Sequence, residues 1–179
     1  MNDAGWVALL RGINLASRNR VPMAQLRQVF AETGAERVRT YIASGNVLFT
    51  SRRSGRAALA KALEQAVEER FGVAARVILR TFDEIQDVAG SHPFGADASR
   101  TQVAFLDGTP SATKVKALES LEVAPDRVHV AGSEAYLYYP NGVQGARLSG
   151  ALVEKELGVA ATVRNWRTVT KLAELAQAE

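Results

Sequence analysis

Six residues stand out for the chemistry their types and settings allow: Arg11 and Asn14 in Arg11-Gly12-Ile13-Asn14, Arg39, Ser44 and Asn46 in Ser44-Gly45-Asn46, and Arg164 in Arg164-Asn165-Trp166. That chemistry is recognition and not bond-breaking. An arginine at a strand end presents a planar fork to a carboxylate or phosphate, and asparagine amides add neutral donors. Arg18 and Arg20 lie in the loop after Asn14, and a loop that opens a helix points amides at an anion. Pro22 removes one of those donors. We expect Arg11, Asn14, Arg39, Ser44, Asn46 and Arg164 to converge on one face and bind a small anionic or phosphate-bearing ligand. The plainer readings stand beside this one. Arg11 could serve an internal ion pair, Arg18, Arg20 and Arg39 a solvated basic face, and Ser44 and Asn46 only a turn. Trp166 would then anchor a core while Asn165 caps a helix.

No reaction is readable. Ser44-Gly45 lacks the strand-to-helix elbow of a hydrolase nucleophile, and neither His92 nor His129 is near it in sequence. With no cysteine there is no thiol nucleophile and no thiolate site. Asp97, Asp107 and Asp126 lack metal-ligand spacing, and no phosphate loop or dinucleotide fingerprint occurs. Catalytic residues are therefore unassigned, and neither metal nor cofactor is expected. Net charge is +3 and the isoelectric point about 9.4, a mild basicity that leaves nucleic acid as a less favoured partner. Tyr136, Tyr138 and Tyr139 could form a stacking platform, but the RNA-binding aromatic-glycine signature is missing. A structural or interaction protein without a ligand is the third reading. The chain lacks an apolar run of membrane-spanning length and a leader-like start, so no membrane partner and a cytoplasmic location are expected. Oligomeric state is not encoded in any feature of the chain.

The elements that must hold these residues follow from hydrophobic period. Trp6 to Leu10 is a continuous apolar run, the pattern of a strand covered on both faces. Met23, Leu26, Val29 and Phe30 recur at helical spacing up to Gly34. Val38 to Ala43 and Val47 to Thr50 form a hairpin about Ser44-Gly45-Asn46. Leu59 to Phe71 is a long helix and Val73 to Leu79 a strand, which completes β-α-β-β-α-β, the split unit of the ferredoxin-like fold. Phe82, Ile85 and Val88 suggest a linking helix. The pattern then restarts with a strand at Gln102–Leu106, a helix from Pro110 to Leu121 and a hairpin about Gly132-Ser133. A helix follows, capped by Ser149 and ended by Gly158, then a short strand from Ala161 to Val163 and a terminal helix capped by Asn165 or Thr168. Glu36-Arg37-Val38 parallels Asp126-Arg127-Val128 at the two hairpins. The expected class is α+β, with a ferredoxin-like subdomain over 1–80 and a second α+β subdomain with a C-terminal helix over 81–179, read either as a degenerate repeat of the first or as a unit whose hairpin only looks like the first, as any α+β hairpin would.

Read in order, Leu9-Leu10-Arg11-Gly12-Ile13-Asn14, Val21-Pro22-Met23, Ser44-Gly45-Asn46-Val47, and Arg164-Asn165-Trp166 with Thr168-Val169-Thr170-Lys171-Leu172 resemble the bacterial domain-of-unknown-function family sixteen-ninety-seven. The resemblance spans essentially the whole chain. It implies a two-part ferredoxin-related α+β fold and brings no activity, substrate or cofactor. One departure is Leu15-Ala16-Ser17, where the family pattern is glycine-rich.

Overall fold

The computed structural model describes residues 4–15, 18–53, 55–95 and 97–178. Ala16 and Ser17, in the departure from the family pattern, lie outside the described residues. The chain divides into two compact units, Met1–Gln86 with Leu172–Glu179, and Asp87–Lys171.

The first unit runs β1 (Ala4–Arg11), α1 (Met23–Glu32), β2 (Glu36–Tyr41), β3 (Asn46–Ser51), α2 (Arg56–Phe71) and β4 (Arg76–Thr81), and leads into α3 (Phe82–Gly90). Its sheet is antiparallel in the order β2-β3-β1-β4. The apolar run of β1 divides by the pleat, since successive side chains point to opposite faces. Trp6, Ala8 and Leu10 join Phe49, Val77 and Leu79 in one core with Leu26 and Phe30 of α1 and Leu59 and Leu63 of α2. Phe30 meets Phe49 edge-on, with ring centroids 5.4 Å apart. Val7, Leu9, Leu48 and Ile78 occupy the other face and are equally buried, as the unbroken run of β1 predicts. Each such side chain contributes about 1.5–3 kcal/mol on burial.

The second unit repeats the connectivity: β5 (Thr101–Leu106), α4 (Ala112–Glu119), β6 (Arg127–Ala131), β7 (Glu134–Tyr138), α5 (Gly150–Leu157), β8 (Ala161–Asn165), then α6 (Trp166–Gln177). Its antiparallel order, β6-β7-β5-β8, matches the first position for position. Ala104, Leu106, Ala135 and Leu137 pack on Leu118 of α4 and on Val153 and Leu157 of α5. The protein is thus α+β, built of two ferredoxin-like units.

Boundaries shift where a local backbone demand outweighs side-chain type. β2 stops at Tyr41 and not Ala43, because Ile42 turns to φ +51°. β4 starts at Arg76 and not Val73, after a tight turn in which the Ala75 N–H bonds Val73 O at 2.9 Å. α4 is shorter than Pro110–Leu121 because Ser111 caps it, accepting from the Lys114 N–H.

Candidate functional site

Arg11 ends β1 and is exposed. Asn14, three residues on, ties the following loop to its surroundings. Its Nδ2 donates to Val21 O at 3.1 Å and to Ala43 O at 2.8 Å, and its Oδ1 accepts from the Val21 N–H at 2.8 Å. Asn19 does the same work from the other side, its Nδ2 donating to Gly12 O at 2.7 Å. Asn14 and Asn19 both sit at positive φ, near +50°, a conformation asparagine tolerates better than most residues. The β1–α1 loop, the β2–β3 turn and the start of α1 are therefore stitched into one rim.

The hairpin turn closes on that rim. The Leu10 N–H bonds Gly45 O at 2.8 Å. Gly45 has φ +81°, and a Cβ there would stand 2.9 Å from Leu10 Cβ and 2.8 Å from Ile13 Cδ1, so only glycine fits. Asn46, fully buried, is the first residue of β3, and its Nδ2 donates to Tyr41 O at 3.0 Å and Ser44 Oγ at 2.9 Å. Ser44 is exposed on the turn. Register places Arg11 directly opposite Arg76, the first residue of β4. α1 begins behind Pro22 with no side-chain cap and no acid in its first turn. The same rim thus carries Arg11, Arg18, Arg20 and Arg76. Arg39 lies farther along β2, past a register shift between Glu36 and Arg39, and its Nη2 donates to Leu175 O of α6 at 3.1 Å. A guanidinium suits the carbonyl end of a helix.

Arg164 belongs to the second unit. It is 8% exposed on β8, and its Nη1 donates to Thr162 Oγ1 at 2.7 Å and Val163 O at 3.0 Å. Burial lowers its pKa to about 10. Sequence reasoning missed its counterpart, Arg80, which is 4% exposed on β4 and donates from Nη1 to Leu79 O at 2.9 Å. The two occupy one position of the repeat: Arg80 pairs with Val7, and Arg164 with Val103. The match of Val7-Ala8-Leu9-Leu10-Arg11-Gly12 to Val103-Ala104-Phe105-Leu106-Asp107-Gly108 was the available clue.

In the second unit the tyrosines of β7 do not stand open. Tyr136 is buried, and Tyr138 lies 5.6 Å from the Phe94 ring with the Arg127 guanidinium 4.7 Å above it. Arg127 also covers Phe94 at 4.9 Å, and Phe94 leads through His92 to Trp166, whose ring is 4.9 Å from that imidazole. His92 Nε2 and Thr101 Oγ1 are 2.7 Å apart. Burial first, then the nearby Arg127 charge, lower the His92 pKa.

Two units of ferredoxin-like connectivity with the same strand order, the first with an arginine-rich rim, define this α+β protein. The chain belongs to a family described as protein of unknown function (DUF1697), whose model matches residues 4–136. Among solved structures, a conserved bacterial protein from Streptococcus pneumoniae is 23% identical, with a TM-score of 0.80 over 98% of this chain and 99% of that one. That likeness concerns the fold. No curated protein matches the chain. No helix among the described residues is long and apolar enough to cross a membrane.

Proposed function

We propose that the protein binds a small anionic or phosphate-bearing molecule at the β1–α1 rim of the first unit. The observation that carries this is Arg11 opposite Arg76 at the end of the sheet where the loop and turn are pinned and α1 opens uncapped. Arg76 has an acidic neighbour, its Nε lying 3.5 Å from Glu64 Oε1, so the reading draws on the positive potential gathered at this strand end and not on a bare pair of cations. Charge distribution supports the reading. Residues 1–53 hold eight arginines and three acids, net +5, whereas the remainder holds fourteen basic and sixteen acidic residues, net −2.

In this reading Arg11 contacts the ligand, with Arg18 and Arg20 beside it. Asn14, Ser44 and Asn46 hold the rim in shape. Arg39 donates to Leu175 O and Arg164 belongs to the other unit, so the rim reading requires neither. Each charge-assisted hydrogen bond contributes about 1.5–3 kcal/mol, roughly tenfold or more in affinity. Calorimetric titration with inorganic phosphate and pyrophosphate should give saturable heat for the wild type. Arg11→Ala should weaken it at least tenfold while thermal melting is retained. An Arg11→Ala variant that binds as tightly as wild type overturns the rim. No heat with either anion leaves the scaffold reading ahead. An oligonucleotide that binds tightly with a steep salt dependence where phosphate does not would favour nucleic acid.

A further inference from the structure

Among the described residues three large apolar side chains stand exposed, Leu15, Ile42 and Val143. Single exposed apolar residues are ordinary, but two of these three belong to the arginine-rich rim. Leu15 follows Asn14 in the β1–α1 loop, and Ile42 precedes Ala43 in the β2–β3 turn. Asn14 Nδ2 donates to Ala43 O at 2.8 Å, so each residue is next in sequence to one end of that hydrogen bond.

Packing explains neither position. Leu15 is 58% exposed and Ile42 50%. Ile42 also sits at φ +51°, a conformation that is costly for a β-branched residue and persists where it serves a site. Cations stand beside the two side chains. Leu15 and Arg18 pair in an isolated antiparallel bridge, with the Arg18 N–H bonded to Leu15 O at 2.8 Å, and paired residues put their side chains on one side. Arg11 and Arg20 flank the same loop and, like Arg18, are exposed. An apolar surface edged by guanidinium groups complements a molecule with an anionic head and an apolar body.

We infer that the anion taken at this rim is a phosphate monoester that carries an apolar chain. The inference rests on the anion-binding reading above and narrows its ligand. The phosphate meets Arg11 and Arg18, and the chain lies over Leu15 and Ile42, which removes their exposed surface from water. Inorganic phosphate or a sugar phosphate would leave both side chains wet. A soluble alkyl phosphate and a phosphate headgroup in a bilayer offer the same chemistry.

The probes are methyl phosphate, n-hexyl phosphate and n-hexanol, titrated by calorimetry into the intact chain. Hexyl phosphate should bind tighter than methyl phosphate by roughly tenfold or more, since each methylene fully removed from water is worth about fourfold. Hexanol should give no saturable heat. Leu15→Ser with Ile42→Asn should bring the ratio of the two ester affinities close to one. Ile42→Asn alone should also raise the thermal midpoint, because asparagine tolerates positive φ better than isoleucine. A midpoint that falls instead would show that packing holds Ile42 in the turn, and would overturn its place in the site. Equal affinity for the two esters would overturn the inference and leave the anion site standing. No heat from either ester would remove the anion site and the inference with it. A ratio unchanged in the folded double variant would put the chain elsewhere and overturn the inference as well. Co-sedimentation with phosphatidylcholine vesicles, with and without phosphatidic acid, assigns the source. Capture on the acidic vesicles alone, lost in the double variant, places the ester in a bilayer, and hexyl phosphate binding without capture places it in solution.

Discussion

The two units share connectivity, strand order and even individual hydrogen bonds, yet they present opposite chemistry at matching positions. The Leu10 N–H bonds Gly45 O at 2.8 Å, and the Leu106 N–H bonds Ser133 O at 2.9 Å. One residue on, the charge reverses, from Arg11 at the end of β1 to Asp107 just after β5. Helix starts differ as well. α1 and α2 open behind Pro22 and Gly55 with no side-chain cap, whereas Ser111 and Ser149 cap α4 and α5. A scaffold set by backbone pairing and a buried core tolerates any polar group at its rims. The rims are therefore where two units of one connectivity are free to differ.

The comparison is broken most severely at the hairpins. Gly45→Val should destabilise the protein by about 4 kcal/mol, through positive-φ strain and overpacking against Leu10 and Ile13 together. At Gly132, φ is +60° but a Cβ would meet nothing within 4 Å, so Gly132→Val should cost only the strain, about 1 kcal/mol. Calorimetric melting of both variants checks the difference. Equal losses would mean that the docking of the first turn on β1 contributes nothing.

The caps give a smaller contrast. Ser149→Ala removes the acceptor of the Leu152 N–H, 3.2 Å away, and should cost about 1 kcal/mol. Gly55→Ser supplies a cap where none exists and should add a few tenths of a kcal/mol. Urea midpoints of the two variants should move in opposite directions. A Gly55→Ser variant that instead loses stability would show that the open start of α2 needs glycine.

The smallest effect concerns acid. α3 begins with a reciprocal cap: the Glu84 N–H donates to Thr81 Oγ1 at 3.2 Å, and Glu84 Oε2 accepts from the Thr81 N–H at 2.8 Å. α6 begins instead with the neutral Asn165, whose Oδ1 accepts from the Thr168 N–H at 2.8 Å. Burial pushes the Glu84 pKa up, but hydrogen bonds from Arg56 and from the Thr81 N–H, with the charges of Arg56 and Arg80, outweigh it and leave the carboxyl below its ordinary value. A folded-state pKa below the unfolded one gives stability that is present above the unfolded pKa and lost as pH falls through the folded one. Glu84→Gln should flatten this part of the acid limb in urea midpoints measured between neutral pH and about pH 3, whereas Asn165→Ser should leave its slope alone. Identical acid limbs for Glu84→Gln and wild type would remove Glu84 from the account.

Much of the fold was legible because it rests on local and periodic features. The unbroken apolar run of β1, the spacing of Leu26, Val29 and Phe30, the glycine at the first hairpin and the serine before α5 each encode their element within a few residues. The matching hairpins pointed to the shared connectivity, and the first strands match as well, Val7–Gly12 against Val103–Gly108. Tertiary structure alone decided what the polar residues do. Asn14 and Asn46 could be recognised as unusual, but only the pairing of loop to turn shows their amides holding backbone carbonyls. Arg80 hides in the apolar run Val77-Ile78-Leu79, and only sheet register reveals it as the partner of Arg164 in the repeat. The clamp of Arg127 by Phe94 and Tyr138 joins residues 33 and 11 positions apart. Periodicity reports which face of an element is buried. It carries no information on which buried or rim-side polar atoms meet, because that depends on strand pairing across long loops.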